Sequence, residues 1–271
     1  MADETYGAAE VGAGFGQTAG SYDDLLRHNQ SGARRLIAAL PDGAYESVVD
    51  VGCGTGFATF AMHDRFGVKH ALGVDPSHEM LAVMRESGLR LAPDLQLQLL
   101  VGDAAALPTE DASADAVIST MAFHWFPDKE GAVREMARVV RPGGHVAILT
   151  AGRGTDAELL EIMRGMDPPV PASWTGVFDY IHRDVREMED IAEGAGLVPV
   201  DIWAETRRRR IPAMDYLARL QAVASHLSAE MDPAEAEAHG LRLAEALAAA
   251  SGPRGFDYTF VKLFAIARKP D

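Results

Sequence analysis

The stretch Val48-Val49-Asp50-Val51-Gly52-Cys53-Gly54-Thr55-Gly56 decides the fold of this 271-residue chain. A short apolar strand ends inside it, three glycines follow at alternate positions, and the pattern predicts a helix from residue 57 to 66. Glycine lets a backbone turn sharply and approach a ligand closely. The start of a helix adds free N–H groups and the positive end of its dipole. The stretch therefore predicts a cradle for a polar group of a bound cofactor.

The glycine spacing separates this loop from the nicotinamide-binding fingerprint. That fingerprint is G-x-G-x-x-G, and counted from Gly52 it requires a third glycine at the position held here by Phe57. A pyrophosphate also disfavours a neighbouring carboxylate, whereas a cationic amino group is stabilised by one, and Asp50 stands just before the loop. A dinucleotide dehydrogenase is accordingly the weaker interpretation.

Strands and helices alternate along most of the chain. Strands are predicted at 47–51, 70–74, 95–101, 114–120, 145–149, 197–211 and 258–267. Helices are predicted at 22–40, 57–66, 78–86, 104–107, 129–140, 152–165, 184–195, 214–226 and 233–250, with a turn at 141–144. This rhythm is typical of an α/β fold, with a mainly parallel sheet covered by helices on both faces.

Two further acidic residues follow strand ends. Asp75 closes the second strand about 20 residues after the glycine loop, where a carboxylate can accept hydrogen bonds from both ribose hydroxyls of an adenosine. Gly102-Asp103-Ala104 closes the third strand, where a carboxylate and an N–H can contact an adenine edge. Either aspartate taken alone could simply cap a helix. The ordered set at neighbouring carboxyl ends favours a nucleoside site.

With these residues in place, the chain resembles the class I S-adenosylmethionine-dependent methyltransferases. It resembles the broad group of these that includes the trans-aconitate, malonyl-acyl-carrier-protein and quinone-biosynthesis enzymes. The resemblance covers roughly residues 15–150. It is carried by residues 48–56, 73–77 with Met80-Leu81, 102–104 with Leu107-Pro108, 114–117, 123–125 and 135–144, together with 15–22 and Gln30.

The resemblance implies a Rossmann-like sheet of seven strands, the last running antiparallel between the fifth and the sixth. It implies S-adenosylmethionine as the cofactor. We expect residues 1–40 to be an N-terminal segment and helix over the cofactor site, 41–150 the cofactor-binding core, and 151–271 the remainder of the sheet. Insertions at 151–183 and 212–255 are expected to form a helical lid over the acceptor site.

The resemblance also implies which residues bind the cofactor, at the positions of this sequence that match the family's motifs. The expected set is Tyr22, Asp50, Gly52, Gly54, Gly56, Asp75, Pro76, Met80, Gly102, Asp103, Ala104 and Thr120.

The acceptor side is less constrained by the sequence. Tyr22, His124, Trp125 and Trp174 are candidates for contact with the acceptor. His124 follows the fourth strand, so it is the candidate catalytic residue that binds or deprotonates the acceptor. The alternative is that His124 and Trp125 only pack beside the adenine or the loop. Similarly, Tyr22 could only anchor the N-terminal helix, and the tryptophans could belong to the core.

Four consecutive arginines, Arg207 to Arg210, end the predicted sixth strand. Strand alternation places Arg208 and Arg210 on one face and Arg207 and Arg209 on the other. One pair could contact an anionic acceptor, since the guanidinium fork suits carboxylates. A solvated strand end is the favoured interpretation.

Composition and charge limit the classes of partner, metal site and location that are expected for this chain. The net charge of −15 disfavours a nucleic-acid substrate. The single cysteine, Cys53, excludes an internal disulfide and a cysteine-based zinc site, and no metal site is expected among the histidines and acids. No secretory signal or apolar run of about 20 residues is visible, so no membrane association and a cytoplasmic location are expected. Monomer and homodimer both remain open.

The sequence thus predicts a methyltransferase for a small-molecule acceptor in biosynthetic metabolism, with oxygen (hydroxyl or carboxylate) as the favoured acceptor atom. N- or C-methylation on the same scaffold is the alternative. A non-catalytic S-adenosylmethionine-binding protein, or a cyclase or decarboxylase that uses the cofactor electrostatically, is a further one.

Overall fold

The computed structural model describes residues 7–16, 27–172, 174–175, 178, 182–224 and 231–271. Its strands are β1 (Ser47–Val51), β2 (His70–Asp75), β3 (Gln96–Val101), β4 (Ala114–Thr120), β5 (Val140–Ala151), β6 (Val198–Ile211) and β7 (Phe256–Arg268). Its helices are α1 (Ala8–Gly16), α2 (Arg27–Ala39), α3 (Phe57–Phe66), α4 (His78–Leu91), α5 (Lys129–Val139), α6 (Ala157–Arg164), α7 (Val185–Gly194), α8 (Ala213–Ala224) and α9 (Pro233–Ala250). A single 3-10 turn, Phe123–Trp125, follows β4.

The seven strands form one sheet in the order β3-β2-β1-β4-β5-β7-β6. Strands β1 to β5 run parallel, and β7 pairs antiparallel with both β5 and β6. The strand order reverses at β1, because β2 lies on one side of it and β4 on the other. Open α/β sheets bind ligands at such a reversal, outside the carboxyl ends of the strands. The expected seven-stranded Rossmann-like sheet and its antiparallel last strand are confirmed.

Helices cover both faces of the sheet, so its strands are buried on two sides. One core joins α5 and α7 to residues such as Val49, Val117 and Ile148. The other joins α2, α3 and α4 to the alternate residues of the same strands, including Val48 and Ile118. This double burial explains why β1 and β4 are nearly continuous runs of apolar residues.

A third apolar cluster lies beyond the sheet and is called the lid cluster here. Its buried members are Leu159, Met163, Val170, Tyr216, Leu243, Leu247, Phe256, Tyr258 and Phe260. They come from α6, α8, α9, the first residues of β7 and, for Val170, the segment after α6, so the two insertions predicted at 151–183 and 212–255 pack on one another. Met121, directly after β4, packs against this cluster. The lid cluster therefore adjoins the carboxyl end of β4.

Several predicted element limits need correction. The short helix expected at 104–107 is instead a turn, in which Asp103 accepts N–H bonds from Ala105 and Ala106. The helix expected from 152 begins only at Ala157, because Gly154 and Asp156 have positive φ angles of 95° and 55°. For the predicted helix at 104–107, four residues are too few to offset the cost of helix nucleation.

Two other elements, β5 and α4, are longer than predicted. The turn expected at 141–144 lies within β5 as an irregularity in the pairing of β4 with β5. Helix α4 runs to Leu91 rather than ending at 86. The helix expected at 22–40 is observed as α2, and residues 22–26 lie outside the described residues. Likewise α8 is described to Ala224 only.

Candidate active site

The glycine loop after β1 adopts a conformation that ordinary side chains avoid. Gly52 and Gly54 both have positive φ, 67° and 53°. A Cβ on Gly52 would lie 2.4 Å from the Cβ of Ala122, in the loop after β4, whereas a Cβ on Gly54 would meet no atom within 4 Å. Gly52 is therefore required by packing between two loops. At Gly54 the backbone is bare because the cleft in front of it is open.

Asp75 ties the second strand to this loop. Its Oδ2 accepts a hydrogen bond from Gly54 N at 2.8 Å, and its Oδ1 accepts one from Ser77 N at 2.9 Å. Burial raises the pKa of the Asp75 carboxyl, and the two N–H donors oppose that rise. Each oxygen keeps a second lone pair, so the carboxylate can still accept donors from a ligand in the cleft.

Asp50 lies beneath the loop rather than in the cleft wall. It is fully buried, and Thr59 Oγ1 donates to its Oδ2 at 2.6 Å. Its Oδ1 has no hydrogen-bond partner among the described residues. Burial, reinforced by the nearby charge of Asp75, raises the pKa of Asp50 to about 7. In its ionised form, this buried acid provides a negative potential below the loop that suits a cationic group above it.

A cleft opens above these strand ends. Ten of the predicted site residues line it: Gly52, Gly54, Asp75, Pro76, Met80, Gly102, Asp103, Ala104, Thr120 and Trp125. Gly56 does not line it, because this residue faces Phe60 and Met84 in the core below. Tyr22 lies outside the described residues. The binding roles of the predicted site residues remain predictions, and the structure brings most of these residues to one surface.

The cleft also has walls that the predicted site residues do not include. Val11, Gly12 and Phe15 come from α1, Gln30 from α2, and Met121 and Phe126 from the segment after β4. The Phe15 ring meets the Trp125 ring edge-on, with centroids 6.1 Å apart. Phe15 and Gln30 belong to the positions that carry the family resemblance, which was the available signal. Val11 and Gly12 of α1 carry no such signal, because the Ala- and Gly-rich sequence of this helix shows no clear apolar stripe.

His124 is set back behind Trp125. It is 6% exposed, and its Nδ1 lies 3.0 Å from Thr150 Oγ1 at the end of β5. Burial lowers its pKa well below the usual value, and the nearby charges of His182 and Lys129 lower it further. The imidazole is therefore neutral near pH 7, and it does not line the cleft. Its ring packs against Trp125 with centroids 5.0 Å apart.

The remaining candidates lie in or beside the lid. Trp174 packs on the lid cluster and its ring lies 5.8 Å from that of His239. Arg208 and Arg210 share one face of β6, as alternation predicts, where they pair with Glu158 and Asp257. Arg207 pairs with Glu205 on the other face. These exposed pairs fit the solvated strand end better than an acceptor site.

Within the described part of the chain, no three metal-ligating side chains converge. None of the helices described combines the length and the hydropathy that a membrane-spanning segment needs.

Comparison with known proteins places this geometry in context. The sequence model of a family described as "Methyltransferase domain" matches residues 49–148. A malonyl-[acyl-carrier protein] O-methyltransferase of Methylococcus capsulatus is 34% identical over 208 residues, 75% of this chain and 71% of that protein. An enzyme of the same name from Dechloromonas aromatica is 31% identical, over 79% of this chain and 75% of that protein.

Solved structures share the fold at lower identity. The YcgJ protein from Bacillus subtilis superposes with a TM-score of 0.60 at 19% identity, over 90% of this chain and 99% of that one. Phosphoethanolamine N-methyltransferase 2 of Haemonchus contortus, in complex with S-adenosyl-L-methionine, gives 0.58 at 20% identity, over 94% of this chain and 57% of that one.

Proposed function

Because the chain belongs to the class I S-adenosylmethionine-dependent methyltransferases, we propose that it methylates a carboxylate oxygen of a small acyl acceptor in biosynthetic metabolism. Transfer of a methyl group from S-adenosylmethionine is the family's chemistry. The choice of a carboxylate, and the residues assigned below, are our proposal. A cytoplasmic location suits an enzyme of this kind and is proposed with it.

The cleft fits S-adenosylmethionine in three respects. The bare backbone at Gly54 leaves room for the methionine part, and buried Asp50 below the loop favours its cationic groups. The free lone pairs of Asp75 can accept the ribose hydroxyls. Asp103 and Ala104 line the same cleft, and we propose that they contact the adenine edge. When bound, the cofactor supplies an electrophilic methyl group on a sulfonium.

The protein's own task in such a displacement is alignment and exclusion of water. The acceptor oxygen must approach the methyl group in line with the bond that breaks. Phe15 and Trp125 form an aromatic wall at the cleft, and α1 covers it from the N-terminal side. These groups orient an acceptor without taking part in bond making.

One observation carries the choice of a carboxylate: His124 is buried and does not line the cleft, and its burial lowers the pKa of the imidazole well below the usual value. A hydroxyl acceptor needs a group that takes its proton, and an imidazole whose protonated form is strongly disfavoured is a poor one. A carboxylate brings its own negative charge and requires no base. The relatives are named malonyl-[acyl-carrier protein] O-methyltransferases, and a malonyl group ends in a carboxylate. We therefore propose that His124 positions Trp125 rather than moving a proton.

The test is methyl transfer to acids of defined structure. Purified protein is incubated with S-adenosylmethionine and the malonyl thioester of N-acetylcysteamine, alongside matched hydroxyl and amine acceptors. We expect equal amounts of S-adenosylhomocysteine and a methyl ester, measured by mass spectrometry. A methylated amine or carbon as the sole product would instead establish the alternative, N- or C-methylation. Methylation of the hydroxyl acceptor alone would contradict the carboxylate.

A further inference from the structure

Arg219, on α8, is a buried cation inside the lid cluster. Only 9% of the residue is exposed. Its guanidinium lies 5.0 Å from the centre of the Tyr258 ring, 5.2 Å from that of Phe260 and 5.8 Å from that of Tyr216. Aromatic faces attract a cation and hold its plane in place. The charge is therefore kept in one orientation within an otherwise apolar environment.

The hydrogen-bonding capacity of this guanidinium is largely unused. Its closest acid is Asp156, and Nη1 lies 3.6 Å from Asp156 Oδ1, which is an ion pair but longer than a hydrogen bond. Both Nε and Nη1 lack a hydrogen-bond acceptor among the described residues, and so does the Tyr216 hydroxyl. Buried polar groups in folded proteins are nearly always bonded. Asp156 Oδ1 also lacks a hydrogen bond, so the carboxylate of Asp156 pairs with Arg219 without forming a close two-oxygen contact, and the donors of Arg219 still match the two oxygens of an incoming anion.

The position of Arg219 connects it to the cleft. Helix α8 packs against α1, and Val11, Gly12 and Phe15 of α1 line the cleft. Met121 lines the cleft on one side and packs against the lid cluster on the other. Arg219 does not itself line the cleft, so it lies in the layer that adjoins the cleft through α1 and Met121, and an acceptor carboxylate has to extend into this layer to reach it.

We propose that Arg219 is the specificity-determining residue that binds the carboxylate of the acceptor, with Asp156 as its internal partner until the acceptor enters. The inference rests on the proposed function and names the residue that selects an anionic acceptor. Asp156 is buried and holds a left-handed backbone, and its side chain makes no capping bond to α6. It competes with the incoming carboxylate for the same guanidinium.

The experiment measures acceptor binding separately from chemistry. The malonyl thioester of N-acetylcysteamine and its neutral malonamide analogue are titrated by calorimetry into protein loaded with S-adenosylhomocysteine. We expect the wild type to bind the acid at least about tenfold more tightly than the amide, as for a charge-assisted fork. Arg219→Met should remove that preference, and Arg219→Lys should restore part of it.

Asp156→Asn tests the same site with the opposite sign. Asparagine tolerates a left-handed backbone, and removal of the competing charge should tighten binding of the acid by several-fold without changing binding of the amide. Arg208→Met is the matched control, because Arg208 is exposed and pairs only at 3.9 Å with Glu158. Thermal unfolding and S-adenosylhomocysteine binding of each variant show whether the fold is intact.

The outcomes separate this site from the proposed function. If the wild type binds the acid and the amide equally, or binds neither, the site is overturned. If Arg219→Met folds and keeps the wild-type preference, the site is also overturned, even when the wild type forms the methyl ester. If Arg219→Met does not fold, an unchanged acid affinity in Asp156→Asn overturns it. Loss of the preference in Arg219→Met without any methyl ester from the wild type upholds the site and contradicts carboxylate methylation.

Discussion

Asp75 Oδ2 accepts a hydrogen bond from Gly54 N at 2.8 Å, which joins the end of β2 to the glycine loop after β1. The two halves of the proposed cofactor site are thus held by one carboxylate. The same oxygens are the ones proposed to accept the ribose hydroxyls. Loop geometry and cofactor affinity should therefore change together when this carboxylate is altered.

Asp75→Asn should weaken S-adenosylmethionine binding by about 10- to 100-fold, the effect of losing one or two hydrogen bonds to a charged acceptor. An amide replaces one acceptor oxygen by a donor that faces Gly54 N or Ser77 N. Calorimetric titration of the purified variant measures the change. Asp94→Asn is the control, since the Asp94 side chain is 80% exposed and its recorded ion pair is with His63. Wild-type affinity in Asp75→Asn would contradict the proposed ribose contact.

Gly52→Ala should destabilise the fold by roughly 2 to 4 kcal/mol, because it combines a strained backbone with overpacking against Ala122. Gly54→Ala has the same backbone penalty but open space for its methyl group, so we expect a loss of only about 1 kcal/mol. Urea unfolding without cofactor compares the two. Equal losses would show that the contact between the loops after β1 and β4 is not as tight as described.

The buried Asp50 should make stability depend on pH. Its pKa is about 7 in the folded protein and near 3.8 when unfolded, so the folded state binds the extra proton between these values. Stability should then fall as pH rises from about 4 to 7. Asp50→Asn should lack this loss. The unfolding free energy of Asp50→Asn minus that of the wild type should therefore rise by on the order of 3 kcal/mol between pH 5 and pH 8.

Unfolding free energies of cofactor-free protein at both pH values test this. Asp64→Asn, at an exposed position on α3, serves as the control and should follow the wild-type pH dependence. A constant difference between Asp50→Asn and the wild type across this range would mean that Asp50 is already ionised at pH 5.

Arg138 stabilises the loop that follows the third strand. It donates to the carbonyl oxygens of Leu107 and Thr109 and pairs with Glu135 and Asp111. Arg138→Ala should cost about 2 kcal/mol of unfolding free energy, since two carbonyls and two carboxylates lose a partner. Because this loop begins at Gly102-Asp103-Ala104, cofactor affinity should fall as well. Arg186→Ala, which breaks an exposed i,i+4 pair with Asp190, should cost at most about 0.5 kcal/mol.

His124→Asn should retain most of the turnover if His124 positions Trp125. A general base contributes about 10²- to 10⁴-fold, so a loss below about tenfold in kcat is expected here. The neutral imidazole should also leave the wild-type kcat without an inflection near pH 6.5. Steady-state kinetics across pH 5.5 to 8.5 give both quantities. The catalytic role would be supported instead by a wild-type inflection near pH 6.5 that disappears in His124→Asn, together with a kcat loss above 10²-fold.

Much of the fold follows from local patterns. Alternating apolar strands and helices, punctuated by glycine and aspartate, predicted β1, β4, α3 and α9 at their observed limits. Errors arose where a local choice depended on distant partners. Leu107 N, for example, donates to Glu135 on α5, and this bond helps to hold residues 104–107 in a turn rather than a helix.

Local patterns also determined the cofactor class, because residues at neighbouring strand ends meet wherever parallel strands are adjacent. Tertiary packing alone decided which of those residues face the cleft. Asp50 lies below the loop, His124 lies behind Trp125 against Thr150, and Arg219 is caged beside Asp156. Each of these environments is made by segments far apart in the chain. Burial and ion pairing determine the charge state of these groups. Neither can be read from the periodicity or the motif spacing of the sequence.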